Sequence, residues 1–297
     1  MPSNAVGEFT HSPAVALVVV SPGMTTVEIQ PSLGLREEDI AYFHRGKREN
    51  PVFWQRMGSQ PLFKGARVLD VGCGLGSLCL DMALAGAGQV VGLDTETRLI
   101  EFAREFVRRD YPQLAEVTEF KDLDLRDYHE STFDYIISKD SFEHIMDLSG
   151  MLDEMKRCLR PGGRIYAGFG PLYNSPFGHH GRIRTFLPWR QFPWGHLLES
   201  EPRIIARMNR LRAAGERFFC YHEGPIQSIR DLGLNMNSLA EYRRILDDSG
   251  LKVVSFRVNR SSQVLSKLLT LLLRVPFLEE YCTHNIYCVL ENPPVRS

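Results

Sequence analysis

Short runs of β-branched and aliphatic residues alternate with helix-like patterns through the middle of the chain, and this alternation limits the possible folds more than any other feature. The runs lie at residues 67–71, 89–93, 117–120, 135–138 and 164–168. Residues 76–87, 97–109 and 149–159 lie between runs and carry apolar residues at spacings of three and four, as amphipathic helices do. Strands separated by helices pair in parallel, so the sequence predicts a doubly wound, mostly parallel α/β sheet.

The segments on either side of this core complete the predicted domain organisation. Residues 1–60 are expected to form an N-terminal extension ending in a helical cover, since residues 37–57 are rich in charged and aromatic side chains. Residues 171–234 carry Pro, Trp and Arg instead of strand signals, which predicts an inserted lid after the fifth strand. Residues 235–297 resume the pattern of helices and strands and join residues 61–170 in the core.

The charge and the cysteines exclude several classes of partner and location. A formal net charge of -1 gives the chain no long-range positive field, so nucleic acid is not an expected partner. The 6 cysteines lack C-x-x-C spacing in a chain of 297 residues, which is long enough to fold without disulfides. The sequence therefore predicts free thiols and a cytoplasmic location.

Two apolar stretches are too short to cross a bilayer, which takes about 20 residues. Residues 14–20 also lack the basic region of a signal peptide. Residues 262–278 are interrupted by charged residues and a proline. Packing against the sheet is the ordinary role for this second stretch, and a dimer interface or a peripheral membrane contact are the open alternatives.

An acidic residue followed by alternating glycines ends the first predicted strand, in the run Asp70-Val71-Gly72-Cys73-Gly74-Leu75-Gly76. Glycines permit a tight turn and leave no Cβ where a ligand approaches the backbone. A dinucleotide loop has the spacing G-x-G-x-x-G and binds an anion, whereas this loop has G-x-G-x-G with an acid beside it and no Lys or Arg. The loop predicts a ligand with an ammonium group, bound by Asp70, Gly72, Cys73, Gly74 and Gly76.

Further candidate ligand-binding residues follow the next strands. Asp94, next to Thr95, ends the second strand at about the 20-residue offset where an acid accepts ribose hydroxyls. Asp122 follows the third strand and is expected to bind an adenine amino group, with the Leu123 amide donating to the ring; Asp124 is the second choice for Asp122's role. Ser138 lies at the carboxyl end of the fourth strand and completes this set. For Asp94 and Asp122, a helix cap or an Asx turn is the structural alternative to ligand binding.

Taken together, these motifs resemble class I S-adenosylmethionine-dependent methyltransferases. The resemblance includes Phe133-Asp134-Tyr135-Ile136-Ile137-Ser138 and Leu159-Arg160-Pro161-Gly162-Gly163, and it covers about residues 64–170. It implies S-adenosylmethionine as the methyl donor and a seven-strand sheet whose last strand is antiparallel, with residues 252–258 and 284–290 as strands six and seven. The predicted helix at 262–274 between those two strands departs from the usual family pattern.

Catalytic candidates lie where the fourth strand ends and in the insertion. An oxygen acceptor needs a general base, and the candidates are Asp140, His144, His179 and His180. Asp140, Glu143 and His144 would share one face of a helix. They resemble the E-x-x-E-H segment of ubiquinone-pathway O-methyltransferases, which can hold a divalent ion, although Asp140 replaces the first Glu. A packing or surface role is the alternative for each histidine.

The predicted function is methyl transfer from S-adenosylmethionine to a small-molecule oxygen, such as that of a sugar, a quinol, a phenol or a lipid-linked intermediate. Two alternatives belong to other classes. One is an NAD-dependent oxidoreductase or epimerase, for which the third glycine would have to stand at Ser77. The other is a catalytically silent module that binds a nucleoside.

Overall fold

One mixed β-sheet forms the centre of the computed structural model, which describes residues 37–185, 192–221, 223–259 and 275–294. Its strands are β1 (Arg67–Val71), β2 (Gln89–Asp94), β3 (Thr118–Asp122), β4 (Phe133–Lys139), β5 (Leu159–Phe169), β6 (Lys252–Val258) and β7 (Ile286–Glu291). Their order in space is β3-β2-β1-β4-β5-β7-β6, and β7 alone runs antiparallel to both of its neighbours. The predicted doubly wound, seven-strand sheet is confirmed over the described ranges. Its order changes direction between β1 and β4, where α/β sheets bind their ligands.

Helices cover both faces of this sheet. The helices of the described ranges are α1 (Glu37–Met57), α2 (Ser77–Leu84), α3 (Thr97–Asp110), α4 (Leu148–Cys158), α5 (Glu201–Ala213), α6 (Leu239–Asp248) and α7 (Pro276–Cys282). Helix α5 belongs to the insertion, where Ile204 and Met208 are buried. Phe102 of α3 is buried with Val68 of β1 in a cluster that also contains residues of α1 and α2. Leu69, the next residue of β1, is buried on the opposite face with Met155 of α4 and Tyr242 of α6. Adjacent strand residues point to opposite faces, so β1 is buried from both sides.

Two predicted strands extend further than their sequence signal. β5 begins at Leu159, which pairs with Phe133 before the register shifts, so the Pro-Gly-Gly triplet lies within the strand and α4 ends before it. β3 extends to Asp122, because Asp122 pairs with Asp94 at the end of β2. This pairing places two acidic residues side by side at the carboxyl edge of the sheet.

The insertion between β5 and α6 has a small hydrophobic cluster of its own. Ile183, Ile204 and Met208 are buried there together with Ile229 and Leu232. This cluster is separate from the two that flank the sheet. The domain boundaries at residues 60, 170 and 234 stay a prediction.

Several predictions lie outside the described residues. They concern residues 1–30, the helix at 262–274 and most of the apolar stretch 262–278. Within the ranges that the structure does describe, no helix has the length and apolar character that a membrane span requires. All the cysteines carry free thiols.

Candidate functional site

The glycine turn between β1 and α2 lies at the carboxyl edge of the sheet. Gly72, Gly74 and Gly76 have φ angles of 79°, 53° and 77°, in the left-handed region that favours glycine. A Cβ on Gly72 would lie 2.3 Å from Ser141 Oγ, and one on Gly76 would lie 2.7 Å from the Phe120 ring, so both glycines allow close packing. A Cβ on Gly74 would meet no atom within 4 Å. Gly74 is therefore the glycine that leaves backbone open to a ligand.

Asp70 lies beneath this turn at the end of β1 and is buried. Its Oδ2 accepts a hydrogen bond from Cys79 Sγ at 3.2 Å. Burial raises the pKa of Asp70 to about 7, although the Cys79 thiol and the Lys139 ammonium favour the charged form. A cationic ligand group beside Asp70 would favour the ionised carboxylate further.

Asp94 is fixed beside the same turn by two backbone amides. Its Oδ2 accepts from the Gly74 amide at 2.9 Å, and its Oδ1 accepts from the Glu96 amide at 3.0 Å. The Asx-type contact to Glu96 was the structural alternative for this residue, and it coexists with the contact to the glycine turn. Thr95 is exposed next to it. A carboxylate has further lone pairs, so Asp94 can still accept from a ligand.

Asp122 lies beside Asp94 and is exposed, whereas Leu123 is half-buried. The Asp122 carboxylate forms an ion pair with Arg104, with Nη2 and Oδ1 at 3.1 Å. Its own backbone amide and then Arg104 lower the pKa of Asp122. Asp124 instead caps a short 3-10 turn by accepting from the Arg126 amide at 2.9 Å. Asp122 is thus the freer of the two acids predicted for this position.

A cavity of about 290 Å³ opens in front of the glycine turn. Predicted site residues form much of its wall: Asp70, Gly72, Cys73, Gly74, Asp140, Glu143, His144 and His180. The cavity therefore joins the turn to the segment that follows β4 and to the start of the insertion.

Helix α1 contributes a wall that the sequence did not identify. Tyr42, Arg45 and Glu49 line the cavity, and their spacing of three and four places them on one helix face. Gly46 allows α1 to approach α2 closely, since a Cβ there would lie 2.5 Å from Ser77 Oγ. The charged and aromatic composition of residues 37–57 predicted a cover, and this spacing was the available signal for a role in the site.

Asp140 faces the cavity from the turn after β4. Its φ of 55° is left-handed, which Asp tolerates better than most residues. A 3-10 turn follows at Phe142–His144, so Asp140, Glu143 and His144 do not lie on one α-helical face. Asp140 is exposed, yet desolvation by the surrounding protein raises its pKa, and no described residue donates a hydrogen bond to its carboxylate.

Glu143 is buried at the far end of the cavity. Its Oε1 accepts from the Gly170 amide at 3.0 Å, whereas Oε2 has no hydrogen-bond partner among the residues that the structure describes. Burial, and then the charge of Asp140, raises the pKa of Glu143 to about 8. Its backbone carbonyl accepts from the Asn235 amide at 3.1 Å, which ties this segment to the end of the insertion.

His144 and His180 lie beside Glu143 with their rings 4.9 Å apart. His144 Nδ1 donates to the Gly233 carbonyl at 2.7 Å, and His180 Nε2 donates to the Pro171 carbonyl at 2.6 Å. Carbonyls only accept, so the other nitrogen of each neutral ring carries a lone pair. Burial lowers the pKa of His144 to about 4 and that of His180 to about 3, so both rings are neutral at pH 7.

These three residues form the histidine-carboxylate cluster, defined as Glu143, His144 and His180. One potential ligand atom of each lies within 4.8 Å of the other two. The predicted set had Asp140 in the place that His180 takes in this cluster. His180 comes from the insertion, so spacing within the segment after β4 carried no sign of it.

Seven predicted site residues do not line this cavity: Gly76, Asp94, Thr95, Asp122, Leu123, Ser138 and His179. The last two are held by contacts of their own. Ser138 is buried, and its Oγ donates to the Val71 carbonyl at 3.0 Å, which joins β4 to the end of β1. His179 is also buried, and its Nδ1 accepts from the Gly181 amide at 2.9 Å. Their contacts hold backbone segments together near the site.

Comparisons with known proteins give the family. A family model described as a methyltransferase domain matches residues 62–169. The chain carries a class I S-adenosylmethionine-dependent methyltransferase domain. The family predicted from the sequence motifs is therefore confirmed.

Relatives and solved structures place this domain among varied methyltransferases. The ubiquinone biosynthesis O-methyltransferase of Chelativorans sp. (strain BNC1) is 38% identical over 137 residues, which are 44% of this chain and 47% of that protein. Phosphoethanolamine N-methyltransferase 1 of Triticum aestivum is 34% identical over 34% of this chain and 20% of that protein. The chain thus spans less than half the length of these curated relatives. A crystal structure of an S-adenosylmethionine-dependent methyltransferase from Mesorhizobium loti shares the fold, with a TM-score of 0.50 and 18% identity over 82% of this chain and 97% of that chain.

Proposed function

We propose that the protein transfers a methyl group from S-adenosylmethionine to a hydroxyl oxygen of a small molecule. The main support is one cavity that joins an acid-flanked glycine turn to a wall of proton-accepting side chains. Methyl transfer is an in-line displacement, so the protein mainly aligns the two reactants and excludes water. A cavity enclosed by α1 on one side and by the insertion on the other suits both tasks.

The turn between β1 and α2 is the cofactor end of this cavity. Asp70 binds the amino group of the methionine part, and the open backbone at Gly74 leaves room for the ligand. Asp94 accepts from the ribose hydroxyls. Asp122 accepts from the adenine amino group, and the Leu123 amide donates to the ring, since Asp122 ends β3 at this edge of the sheet and Leu123 comes directly after it. Cys73 lines the cavity at this end, and Thr95 follows Asp94 at the edge of the sheet.

The wall formed by Asp140 and the histidine-carboxylate cluster is the acceptor end. Asp140 is the general base, because its carboxylate faces the cavity and no described residue donates to it. It takes the hydroxyl proton while the oxygen forms a bond to the methyl carbon. The carbon–sulfur bond breaks, its electron pair stays on sulfur, and S-adenosylhomocysteine leaves. The neutral rings of His144 and His180 orient the hydroxyl.

Several classes of hydroxyl compound suit this end. Sugars, quinols, phenols and lipid-linked intermediates all carry a hydroxyl whose proton a base must remove. The O-methyltransferase among the relatives supports an oxygen acceptor, and the N-methyltransferase makes an amine the second choice. The free cysteines support a place for this chemistry in the reducing cytoplasm.

Calorimetric titration with S-adenosylmethionine tests the cofactor half of the proposal. We expect saturable binding, and folded protein that gives no heat at high micromolar ligand would end the proposal. Fluorescence enhancement of NADH by such a protein would instead favour the oxidoreductase alternative.

Transfer of a radiolabelled methyl group to a panel of sugars, quinols and phenols tests the acceptor half. We expect Asp140→Asn to lower turnover at least 100-fold while the cofactor Kd stays within twofold. The matched control is Asp153→Asn, which changes an exposed acid on α4. Unchanged turnover in Asp140→Asn would remove Asp140 as the base, and cofactor binding without methyl release to any acceptor would favour a silent nucleoside-binding module.

A further inference from the structure

The histidine-carboxylate cluster brings three potential metal ligands together, and contacts with neighbouring residues do not account for all of their polar atoms. We propose that Glu143, His144 and His180 bind one divalent transition-metal ion, and that this ion joins the insertion to the core. The ligand geometry carries this proposal by itself, and only the ion's part in catalysis rests on the proposed methyl transfer.

The first argument is a set of potential ligand atoms that the described residues leave without partners. Glu143 Oε2 is buried without a partner among the described residues, and the free nitrogens of both neutral rings carry lone pairs. One potential ligand atom of each residue lies within 4.8 Å of the other two. A buried polar atom left without a partner costs about 1–3 kcal/mol. A single cation at the centre would satisfy all three residues.

The second argument is that each residue is held by its other polar atom. Metal-binding histidines usually donate their second ring N–H to a carbonyl or a carboxylate, which fixes the tautomer and the ring orientation. His144 and His180 both donate to backbone carbonyls in this way. Glu143 is fixed likewise, because its Oε1 accepts from a backbone amide. The structure therefore contains the supporting contacts of a metal site.

The ligand types select the class of metal. Two imidazoles and one carboxylate suit zinc, iron, cobalt or nickel, whereas Mg²⁺ prefers oxygen ligands in an octahedral arrangement. Bonds to zinc are about 2.0–2.2 Å long, so the ligand atoms need only a short inward movement to reach one ion. The set predicted from sequence contained Asp140 and was richer in oxygen. With His180 and not Asp140 as the third ligand, the expected metal is a transition metal and no longer a hard cation.

The site would connect both ends of the insertion to the core. His180 lies near the start of the insertion, and Gly233, which accepts from His144, lies at its end. Arg182 reinforces this closure by donating to the carbonyls of Leu232 and Gly233 at 3.0 and 2.8 Å. An ion bound here would also supply a Lewis acid beside the acceptor hydroxyl.

Titration of the full-length, tag-free protein with Co²⁺ in the absence of cofactor tests the site directly, because ligated Co²⁺ absorbs visible light. We expect one equivalent to bind, Zn²⁺ to displace it, and millimolar Mg²⁺ to leave it bound. His180→Gln and Glu143→Gln each lower the affinity at least 100-fold. The glutamine amide at position 180 can still donate to the Pro171 carbonyl, so the local fold is retained.

His196→Gln is the matched control, because His196 is also a buried histidine of the insertion with one nitrogen donating to a backbone carbonyl, that of Tyr173. It should bind Co²⁺ like the wild type. Metal should slow hydrogen exchange at residues 229–233 in the wild type and not in His180→Gln. No stoichiometric Co²⁺ binding, or binding that survives both ligand substitutions, would overturn the site. Calorimetry with S-adenosylmethionine is a separate measurement, so a failed metal site and a failed methyltransferase are distinguishable.

Discussion

The two ends of the cavity are built in different ways. The cofactor end consists of one turn and the strand ends beside it, with Asp94 fixed by the Gly74 amide. The acceptor end joins residues distant in sequence, since Glu143 follows β4 and His180 belongs to the insertion. Backbone geometry shapes the first end, whereas tertiary contacts assemble the second. We therefore expect substitutions to separate the two ends, with cofactor affinity responding to one and turnover to the other.

The largest effect is expected from Gly74→Leu. The glycine has open space where a Cβ would stand, and the proposed cofactor occupies that space. A leucine side chain should lower the affinity for S-adenosylmethionine at least 100-fold, as measured by calorimetry. The left-handed φ of 53° adds a stability cost of about 1 kcal/mol for a non-glycine residue.

Gly65→Leu separates that strain from the loss of the ligand space. Gly65 also has a left-handed φ, of 73°, and a Cβ there also meets no atom within 4 Å, but it does not line the cavity. Its variant should lose similar stability and keep the wild-type Kd. Equal losses of affinity in the two variants would show that strain, not ligand space, governs the cofactor end.

Asp70→Asn should reduce cofactor affinity about tenfold to 100-fold, since a charge-assisted hydrogen bond contributes about 1.5–3 kcal/mol. The same change should stabilise the free protein. The pKa of Asp70 is about 7 in the folded state against an ordinary 3.8, so ionisation in the folded state costs stability as the pH rises from about 4 through 7. A shift of this size limits the gain to about 4 kcal/mol at pH 8.

Urea unfolding of the wild type and Asp70→Asn from pH 5 to pH 8 measures this trade-off. The stability difference should grow over that range and become level above pH 8. A difference independent of pH would mean that Asp70 is ionised in the free protein throughout. Asp134→Asn, in the same strand layer but at the amino end of β4, controls for the loss of one charge.

The same contrast explains what the sequence could and could not predict. The glycine turn and the acids at the ends of β2 and β3 depend on local order along the chain, and each was predicted from spacing. His180 lines the site because the insertion packs against the segment after β4, and one sequence holds no spacing signal for that contact. The α1 wall had a helical spacing, but the sequence did not show which part of the sheet α1 would pack against. Ser138 was correctly placed at a strand end, yet its side chain points into the junction with β1, because strand position does not fix hydrogen-bond partners.

Asn235→Ala should disrupt the acceptor end and leave the cofactor end intact. Asn235 is buried, and its Nδ2 donates to the carbonyls of Phe142 and Ile145 at 2.7 and 3.1 Å, while Tyr242 Oη donates to its Oδ1 at 2.8 Å. Loss of these bonds should cost about 2–3 kcal/mol and release the segment that carries Glu143 and His144. We expect turnover to fall about tenfold, with the cofactor Kd within threefold of the wild type.

Asn209→Ala is the matched control for that experiment. Its amide also bonds twice to backbone, to the carbonyl and the amide of Ile226, both at 2.8 Å, but within the core of the insertion. Comparable destabilisation with turnover close to the wild type would support a local effect at Asn235. A parallel loss of turnover in both variants would mean that the acceptor end depends on the insertion as a whole.

Ser138→Ala should have the smallest effect on stability and cofactor affinity. It tests whether the junction of β1 and β4 belongs to the cofactor end. The buried Oγ of Ser138 donates to the Val71 carbonyl, directly before the glycine turn, so removal should cost about 1 kcal/mol of stability. The cofactor Kd should change less than twofold, because the residue does not line the cavity. Ser249→Ala removes the buried bond that Oγ donates to the Leu246 carbonyl at the end of α6, together with the one it accepts from the Leu251 amide, and provides the reference for stability. If Ser138→Ala lost tenfold in affinity while Ser249→Ala lost none, the junction of β1 and β4 would belong to the cofactor end, and backbone order there would matter as much as direct contact.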